Sequence, residues 1–175
     1  MNFISFVERT DWQIESWVTR GTNAELANDF SGWHRDVHEI IQHIETPYKW
    51  ALMVRGPMTN WSKGRITLLG DACHPTLPFL GQGGVMAIED GYVIAACLEK
   101  YFDEPATALA RYEDIRRERT SAVVQKAHEN RASAFASELA DESTVAETVA
   151  AEWQQVRVRE RLEWLYAYDA TAVAV

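Results

Sequence analysis

One stretch of this sequence gathers the residue types that hold a flat, polar ligand: Gly64-Arg65-Ile66-Thr67-Leu68-Leu69-Gly70-Asp71-Ala72-Cys73-His74-Pro75-Thr76-Leu77-Pro78-Phe79-Leu80-Gly81-Gln82-Gly83-Gly84. Ile66 to Leu69 is a short apolar run between glycines, the form of a strand buried in a sheet centre. A residue at the carboxyl end of such a strand points into the crevice where α/β folds bind ligands. Asp71 stands there, and a carboxylate in that place suits a hydroxyl on a sugar or ribitol chain. The proline loop that follows can press a backbone edge against a flat ligand. Gly81, Gly83 and Gly84 let the backbone come very close to it. A helix begins at this point, so its first N–H groups aim at the same place and favour an anionic oxygen or a polarised carbonyl. His74 follows Asp71 by three residues. It is either an acid–base group beside the ligand or a residue that fixes the loop by hydrogen bonds; the loop-fixing role is the preferred reading.

The elements that must carry this loop read as follows. Residues 3–7 alternate with apolar side chains on both faces, which predicts a strand buried on both sides. A second extended piece is expected through Trp12, Ile14 and Trp17. Thr22 with Glu25 three residues on fits a capping box, and the helix it opens carries Leu26 and Phe30 inward. A further helix from about His34 carries Val37, Ile40, Ile41 and Ile44 and stops at Pro47. Trp50 to Val54 reads as a strand, and Asn60 to Gly64 as a turn. From Val85 a helix carries Ile88, Val93, Ile94, Ala96, Cys97 and Leu98. Pro105 opens the next, which carries Leu109, Tyr112, Ile115, Val123 and Val124. Its charged residues, Arg111, Arg116, Arg117, Arg119 and Arg131 among Glu113, Asp114, Glu118 and Glu129, are expected to form a solvated face or a dimer surface. Residues 137–150 are small and acidic and are expected to be mobile. A last helix over Ala151 to Leu162 should turn Trp153, Val156 and Val158 inward, leaving a terminal tail with little to fix it.

With 175 residues, the chain allows one domain or part of one. Its 47% hydrophobic and 25% charged content excludes disorder, collagen and a disulfide scaffold as overall descriptions. A net charge of -9 argues against nucleic-acid and anionic-membrane partners, because phosphate attraction needs a basic surface. No basic start with an apolar run marks a signal peptide, and no window approaches a membrane span. Two cysteines, Cys73 and Cys97, are too few for a secreted framework, so free thiols in a reducing cytoplasm are expected. Cys73 reads as a small buried side chain rather than a reactive thiol. The seven tryptophans are assigned to core packing and interfaces ahead of a ligand cleft. His34 and His38 share a helix face but lack a partner set for a metal, so no metal is expected.

The string from Gly70 to Gly84 closely resembles the second flavin-binding motif of the class A flavoprotein aromatic hydroxylases. Gly70-Asp71, Ala72, His74, Pro78 and Gly81-Gln82-Gly83 stand where that pattern puts them. The subgroup it looks most like is salicylate hydroxylase and its relatives acting on hydroxybenzoates and hydroxynicotinate. Trp12 to Trp17, Phe30-Ser31-Gly32-Trp33-His34 and Trp50-Ala51-Leu52 resemble the end of that subgroup's substrate domain. Ala87-Ile88-Glu89-Asp90, Tyr112-Glu113 through Arg116-Arg117, and Trp164-Leu165-Tyr166-Ala167-Tyr168-Asp169 resemble its later helices and C-terminal region.

The resemblance implies an α/β fold: the C-terminal part of a glutathione-reductase-like FAD-binding fold, with a remnant of the substrate-domain sheet and a helical tail. The divisions implied are 1–62 for that remnant, 63–136 for the FAD-binding part and 137–175 for the tail. It implies FAD as cofactor, NADH or NADPH as co-substrate, and hydroxylation of a small aromatic acid such as salicylate or a hydroxybenzoate. Gly70 and Asp71 would hold the ribityl chain, and Gly81, Gly83, Gly84 and Val85 would lie against the ring, with the Gly84 and Val85 N–H groups facing the pyrimidine oxygen. Pro78 would line the oxygen-reaction side. Gln82 would orient flavin and substrate through hydrogen bonds, since an amide does not titrate usefully. Gln82, His74 and Pro78 are the residues implied nearest the chemistry. Cys73 and Gly81 stand where relatives often have Ala, and both are tolerated small residues. The family's strand–Gly-x-Gly-x-x-Gly–helix unit, which holds the FAD diphosphate, does not occur in this sequence. The chain is therefore expected to be the C-terminal part of a longer hydroxylase, or one piece of a split one acting with a separately encoded N-terminal half or as a homodimer. The alternative is a non-catalytic remnant that binds flavin weakly or serves as an interaction module.

Overall fold

The computed structural model describes residues 2–9, 14, 16–135, 139, 141 and 143–175, the side chains of Arg157 and Arg161 excepted. Two compact units are present, Met1–Leu52 and Met53–Val175.

The first unit is built on two short helices, α1 (Asn23–Asp29) and α2 (Arg35–Gln42). The expected capping box opens α1: Thr22 Oγ1 accepts from the Glu25 N–H at 3.1 Å, and the Thr22 N–H donates to Glu25 Oε2 at 2.8 Å. Lys49 Nζ reaches Glu25 at 2.9 Å and is the main reason its carboxyl is pulled down to about 2. Asn23 Nδ2 donates to the Ile41 and Ile44 carbonyls, so the start of α1 satisfies the otherwise open end of α2. Ile41 and Phe30 are buried, and Phe30 meets Trp33 edge-on at 5.1 Å. The α2 helix ends at Gln42, five residues before Pro47. His34 is its N-cap, with Nδ1 accepting from the Asp36 N–H.

Two expected strands do not form ladders among the described residues. Residues 3–7 and 50–54 carry no strand pairing. Arg9 is instead paired with Asp29 at 2.8 Å. Ile14 and Trp17 are likewise outside any strand, and Trp12 lies outside the described residues. Alternation records which faces a strand would bury; the strand itself needs a neighbour to take its N–H and C=O groups.

The second unit opens with an antiparallel hairpin, β1 (Ser62–Lys63) against β2 (Ile66–Thr67), in register Ser62↔Thr67 and Lys63↔Ile66. Gly64 supplies the positive φ of +60° at the first position of its two-residue turn. The Ile66–Leu69 run is thus one arm of a two-stranded hairpin and not a sheet centre, and Ile66 is 73% exposed. Helix α3 (Gly83–Lys100) and the 30-residue α4 (Pro105–Ala134) form the bulk of the unit. The α3 helix buries Met86, Asp90, Val93 and Cys97, one stripe at spacings of three and four. Ile88 lies two residues from Met86, about 200° around the helix, and is 76% exposed rather than inward. Leu98 is also exposed. Trp61, Cys73, Val93, Cys97, Ala108 and Tyr112 make one core cluster; Met86, Val123 and Leu165 make a second.

Beyond α4, positions 137, 138, 140 and 142 of the acidic stretch lie outside the described residues, and Val145–Glu152 is helix α5. The expected single last helix is two, because Gln154 is extended and separates α5 from α6 (Gln155–Tyr166). The break resets the helical phase, so Trp153 and Val156 are exposed and Leu165 is the residue buried. The tail is fixed as well. Ala170, Val173 and Val175 pack on the first cluster, Arg111 Nη2 donates to the Ala174 carbonyl at 2.7 Å, and Lys100 donates to the Val175 carbonyl. Among the described residues no helix is long and apolar enough to cross a membrane.

Candidate functional site

The loop singled out in the sequence begins with a 3-10 turn, Gly70–Ala72. Gly70 has φ +61°, a left-handed conformation that glycine adopts at little cost, and a side chain there would meet the Ala87 Cβ of α3 at 3.4 Å. Its N–H donates to Asp90 Oδ2 at 3.0 Å. Its carbonyl accepts from the Cys73 and His74 N–H groups, both at 3.0 Å. The turn therefore lies against α3 with Cys73 and His74 buried, and Asp71 exposed between them and Gly70. Arg55 donates to the Ala72 carbonyl on the outer side.

His74 Nε2 lies 2.6 Å from Asp90 Oδ2, and the imidazole rests on Trp61 with ring centroids 5.4 Å apart. Burial would push the Asp90 carboxyl up, but hydrogen bonds from His74 and Arg116 outweigh it and hold Asp90 below its ordinary range. The carboxylate accepts, so His74 Nε2 carries the proton. Burial pushes the neighbouring Cys73 thiol up to about 12, with the Asp90 charge adding to it, so Cys73 stays a protonated thiol.

Asp90 is answered by Arg116 of α4, whose side chain is fully buried. Arg116 Nε donates to Asp90 Oδ1 at 2.7 Å, Nη2 to Glu89 Oε2 at 2.6 Å, and Nη1 to the Tyr168 hydroxyl at 2.8 Å. Arg119 lies 3.9 Å from Glu89 and stacks over Tyr168 at 4.5 Å. Two carboxylates thus face two guanidinium groups in the interior. This overturns the expectation of a solvated face for Arg116 and Arg119, and for Glu113, which takes the Ser62 N–H at 2.8 Å. The α4 stripe through Leu109, Tyr112, Arg116, Thr120, Val123 and Ala127 includes Arg116 by spacing alone. Charges at positions where the helical period demands apolar residues were the signal available for Asp90 and Arg116, and composition of the helix hid it.

The second half of the loop is a 3-10 turn, Pro78–Leu80, with proline at its start. Asn130 of α4 donates to the Phe79 carbonyl at 2.7 Å, fixing the turn from below. Gly81 follows with φ +64°, and its N–H returns to the Pro78 carbonyl. Gln82 is buried, with Nε2 3.4 Å from the Leu80 carbonyl. Helix α3 then starts with no side-chain cap, so the Gly83, Gly84 and Val85 N–H groups of its first turn lack a capping partner from Gln82. A Cβ at Gly81 or Gly84 would meet nothing within 4 Å, so this backbone faces open space. Pro78 and Val85 are exposed beside it. An uncapped helix start next to bare glycine backbone, with an exposed carboxylate on a turn docked to the same helix, fits a ligand with carbonyl oxygens on a flat ring and hydroxyls on a chain.

A family model described as FAD binding domain matches residues 4–127. The chain is 34% identical over 172 residues to 6-hydroxynicotinate 3-monooxygenase of Bordetella bronchiseptica, covering 97% of this chain and 39% of that protein. It is 39% identical over 129 residues to 3-amino-4-hydroxybenzoate 2-monooxygenase PtnB3 of Streptomyces platensis, covering 74% of this chain and 33% of that one. Among solved structures, a salicylate hydroxylase substrate complex superposes with a TM-score of 0.72 at 29% identity, covering 94% of this chain and 39% of the hydroxylase. The chain spans about two fifths of the length of such relatives.

Proposed function

The chain belongs to the FAD-binding-domain family, and from that premise we propose that it is the C-terminal part of an FAD-dependent aromatic monooxygenase. The reaction is hydroxylation of a small aromatic acid, such as salicylate or a hydroxybenzoate, with oxygen and NADH or NADPH. The observation that carries the reading is the uncapped start of α3 beside left-handed Gly81, with exposed Asp71 on a turn that Gly70 docks to the same helix. The named substrates of the relatives, hydroxynicotinate, aminohydroxybenzoate and salicylate, support the substrate class.

When bound, FAD supplies the oxygen-activating redox chemistry, and the chain supplies binding, orientation and exclusion of water. Asp71 would accept hydrogen bonds from ribityl hydroxyls, with Gly70 setting its direction. The Gly84 and Val85 N–H groups would hold a carbonyl oxygen of the pyrimidine ring, where the helix end favours negative charge. Gly81 and Gly83 would admit the ring edge, Pro78 would line the oxygen-reaction side, and Gln82 would orient substrate and ring. Of the two roles for His74, its burial on Asp90 supports the loop-fixing one. Residues 63–136 act as the C-terminal part of a glutathione-reductase-like FAD domain, 1–62 as the end of the substrate domain and 137–175 as a helical tail. The proposed partners are a second copy of the chain or a separately encoded N-terminal half, and the proposed location is the cytoplasm.

The test is a titration of the purified chain with FAD, read by flavin fluorescence. Saturable uptake is expected, and Asp71→Ala should weaken it about tenfold or more, the scale of one hydrogen bond to a charged group. Aromatic-dependent oxidation of NADH or NADPH is then measured. Uptake without oxidation would favour the alternative of a non-catalytic flavin-binding module. No saturable uptake at high micromolar FAD would overturn the reading for this chain.

A further inference from the structure

Asp90 has no part in the roles given above, yet three donors from two separate segments, the 70–74 loop and α4, converge on its fully buried carboxylate. They are the Gly70 N–H at 3.0 Å, His74 Nε2 at 2.6 Å and Arg116 Nε at 2.7 Å. We infer that Asp90 is a positioning residue for the cofactor: by holding the Gly70 N–H it fixes the left-handed turn and thereby the direction in which Asp71 leaves it. The flavin part of this inference rests on the reading of Asp71 given above; the structural part does not.

A three-residue 3-10 turn is too short to hold itself, because it closes on few internal hydrogen bonds. This one is held from outside. Gly70 is buried, so its N–H would be left unsatisfied without Asp90. His74, which closes the turn on the Gly70 carbonyl, is aimed by the same Asp90 oxygen. Arg116 keeps that carboxylate from turning away, and is itself held by Glu89, the Met86 carbonyl and Tyr168. Asp90 stands on α3 two turns beyond Gly83. One rigid helix therefore sets both halves of the site, its own first N–H groups directly and Asp71 through Asp90. Asp90→Asn keeps the size but offers a single oxygen where three donors converge on two, so at least one donor must be left facing an NH2 group.

Two readouts test this on the full chain. Hydrogen–deuterium exchange should rise in the peptide covering 70–74 of Asp90→Asn and stay unchanged in the hairpin at 62–67. The FAD dissociation constant should rise about tenfold or more, the scale of losing a hydrogen bond to a charged group. That loss should be contained in the loss from Asp71→Ala, so that the double variant binds no worse than Asp71→Ala alone. Val93→Ala, which removes core packing from the same stripe, should lower stability and leave both readouts unmoved. If Asp90→Asn does not fold, Arg116→Lys serves in its place, since a lysine keeps the charge but cannot hold Asp90, Glu89 and Tyr168 together. Unchanged exchange at 70–74 in the folded variant, or losses from Asp71→Ala and Asp90→Asn that simply add, would overturn the inference. If the unsubstituted chain takes up no FAD, the reading of function fails, and the exchange measurement alone decides whether Asp90 holds the turn.

Discussion

Two opposed influences act on the Asp90 carboxyl, and their balance has a pH signature. Burial favours the neutral acid, while hydrogen bonds from His74 and Arg116 favour the carboxylate and prevail. A carboxyl held below its ordinary value of 3.8 stabilises the fold at pH above that value. The contribution disappears as pH falls through the lower folded value. Thermal melts of the unsubstituted chain and of Asp90→Asn should therefore differ by a constant amount above about pH 5, with the gap closing below about pH 4. A gap independent of pH down to 2 would mean that the charge of Asp90 is not what the fold uses. The sequence made Gly70, Asp71, Pro78 and the glycines of 81–84 legible, because turn residues and bare backbone announce themselves by type. Asp90 was not legible in that way. Its importance comes from what reaches it across 20 residues to Gly70 and 26 to Arg116, and no local pattern encodes such a meeting.

Helices α3 and α4 could be read from their periods, and their buried stripes follow three- and four-residue spacing. Where a reading failed, a neighbour or a break was responsible. Residues 3–7, 50–54 and 66–69 have strand-like patterns, but pairing partners exist only for Ile66–Thr67 among the described residues. The Gln154 break shifted the phase of α6 and turned Trp153 and Val156 outward. The α4 helix is the element on which most contacts converge, and its interior charges give it an unusual sensitivity. Arg116→Ala removes the buried guanidinium that Asp90 and Glu89 share, and leaves Asp90 Oδ1 without its charged partner. Denaturant unfolding should register a loss of about 3–5 kcal/mol, as for other broken buried pairs. Glu118→Ala, on the exposed side of the same helix, should stay within about 0.5 kcal/mol of the unsubstituted chain. Equal effects at the two positions would return Arg116 to the solvated face first expected of it.

The whole sequence contains no Gly-x-Gly-x-x-Gly unit and carries a net charge of -9. Neither feature favours a diphosphate. On the proposed reading the chain offers a flavin a carboxylate for the ribityl hydroxyls and backbone for the ring, and those parts are common to FAD, FMN and riboflavin. In competition titrations the three should bind within about tenfold of one another. FAD binding a hundredfold tighter than riboflavin would reveal phosphate contacts within these 175 residues that the geometry does not display. The position of Trp61 gives such titrations a built-in lamp. Its indole is buried 5.4 Å from the imidazole that closes the Gly70 turn and 5.8 Å from Tyr112, whereas Trp17, Trp33, Trp50 and Trp153 face water. Indole emission overlaps flavin absorption, so an occupied loop drains this donor by energy transfer, and a loosened loop reddens it by letting water in. In a chain whose other six tryptophans are replaced by phenylalanine, occupancy and integrity of the turn can thus be told apart by intensity and colour in a single unlabelled sample.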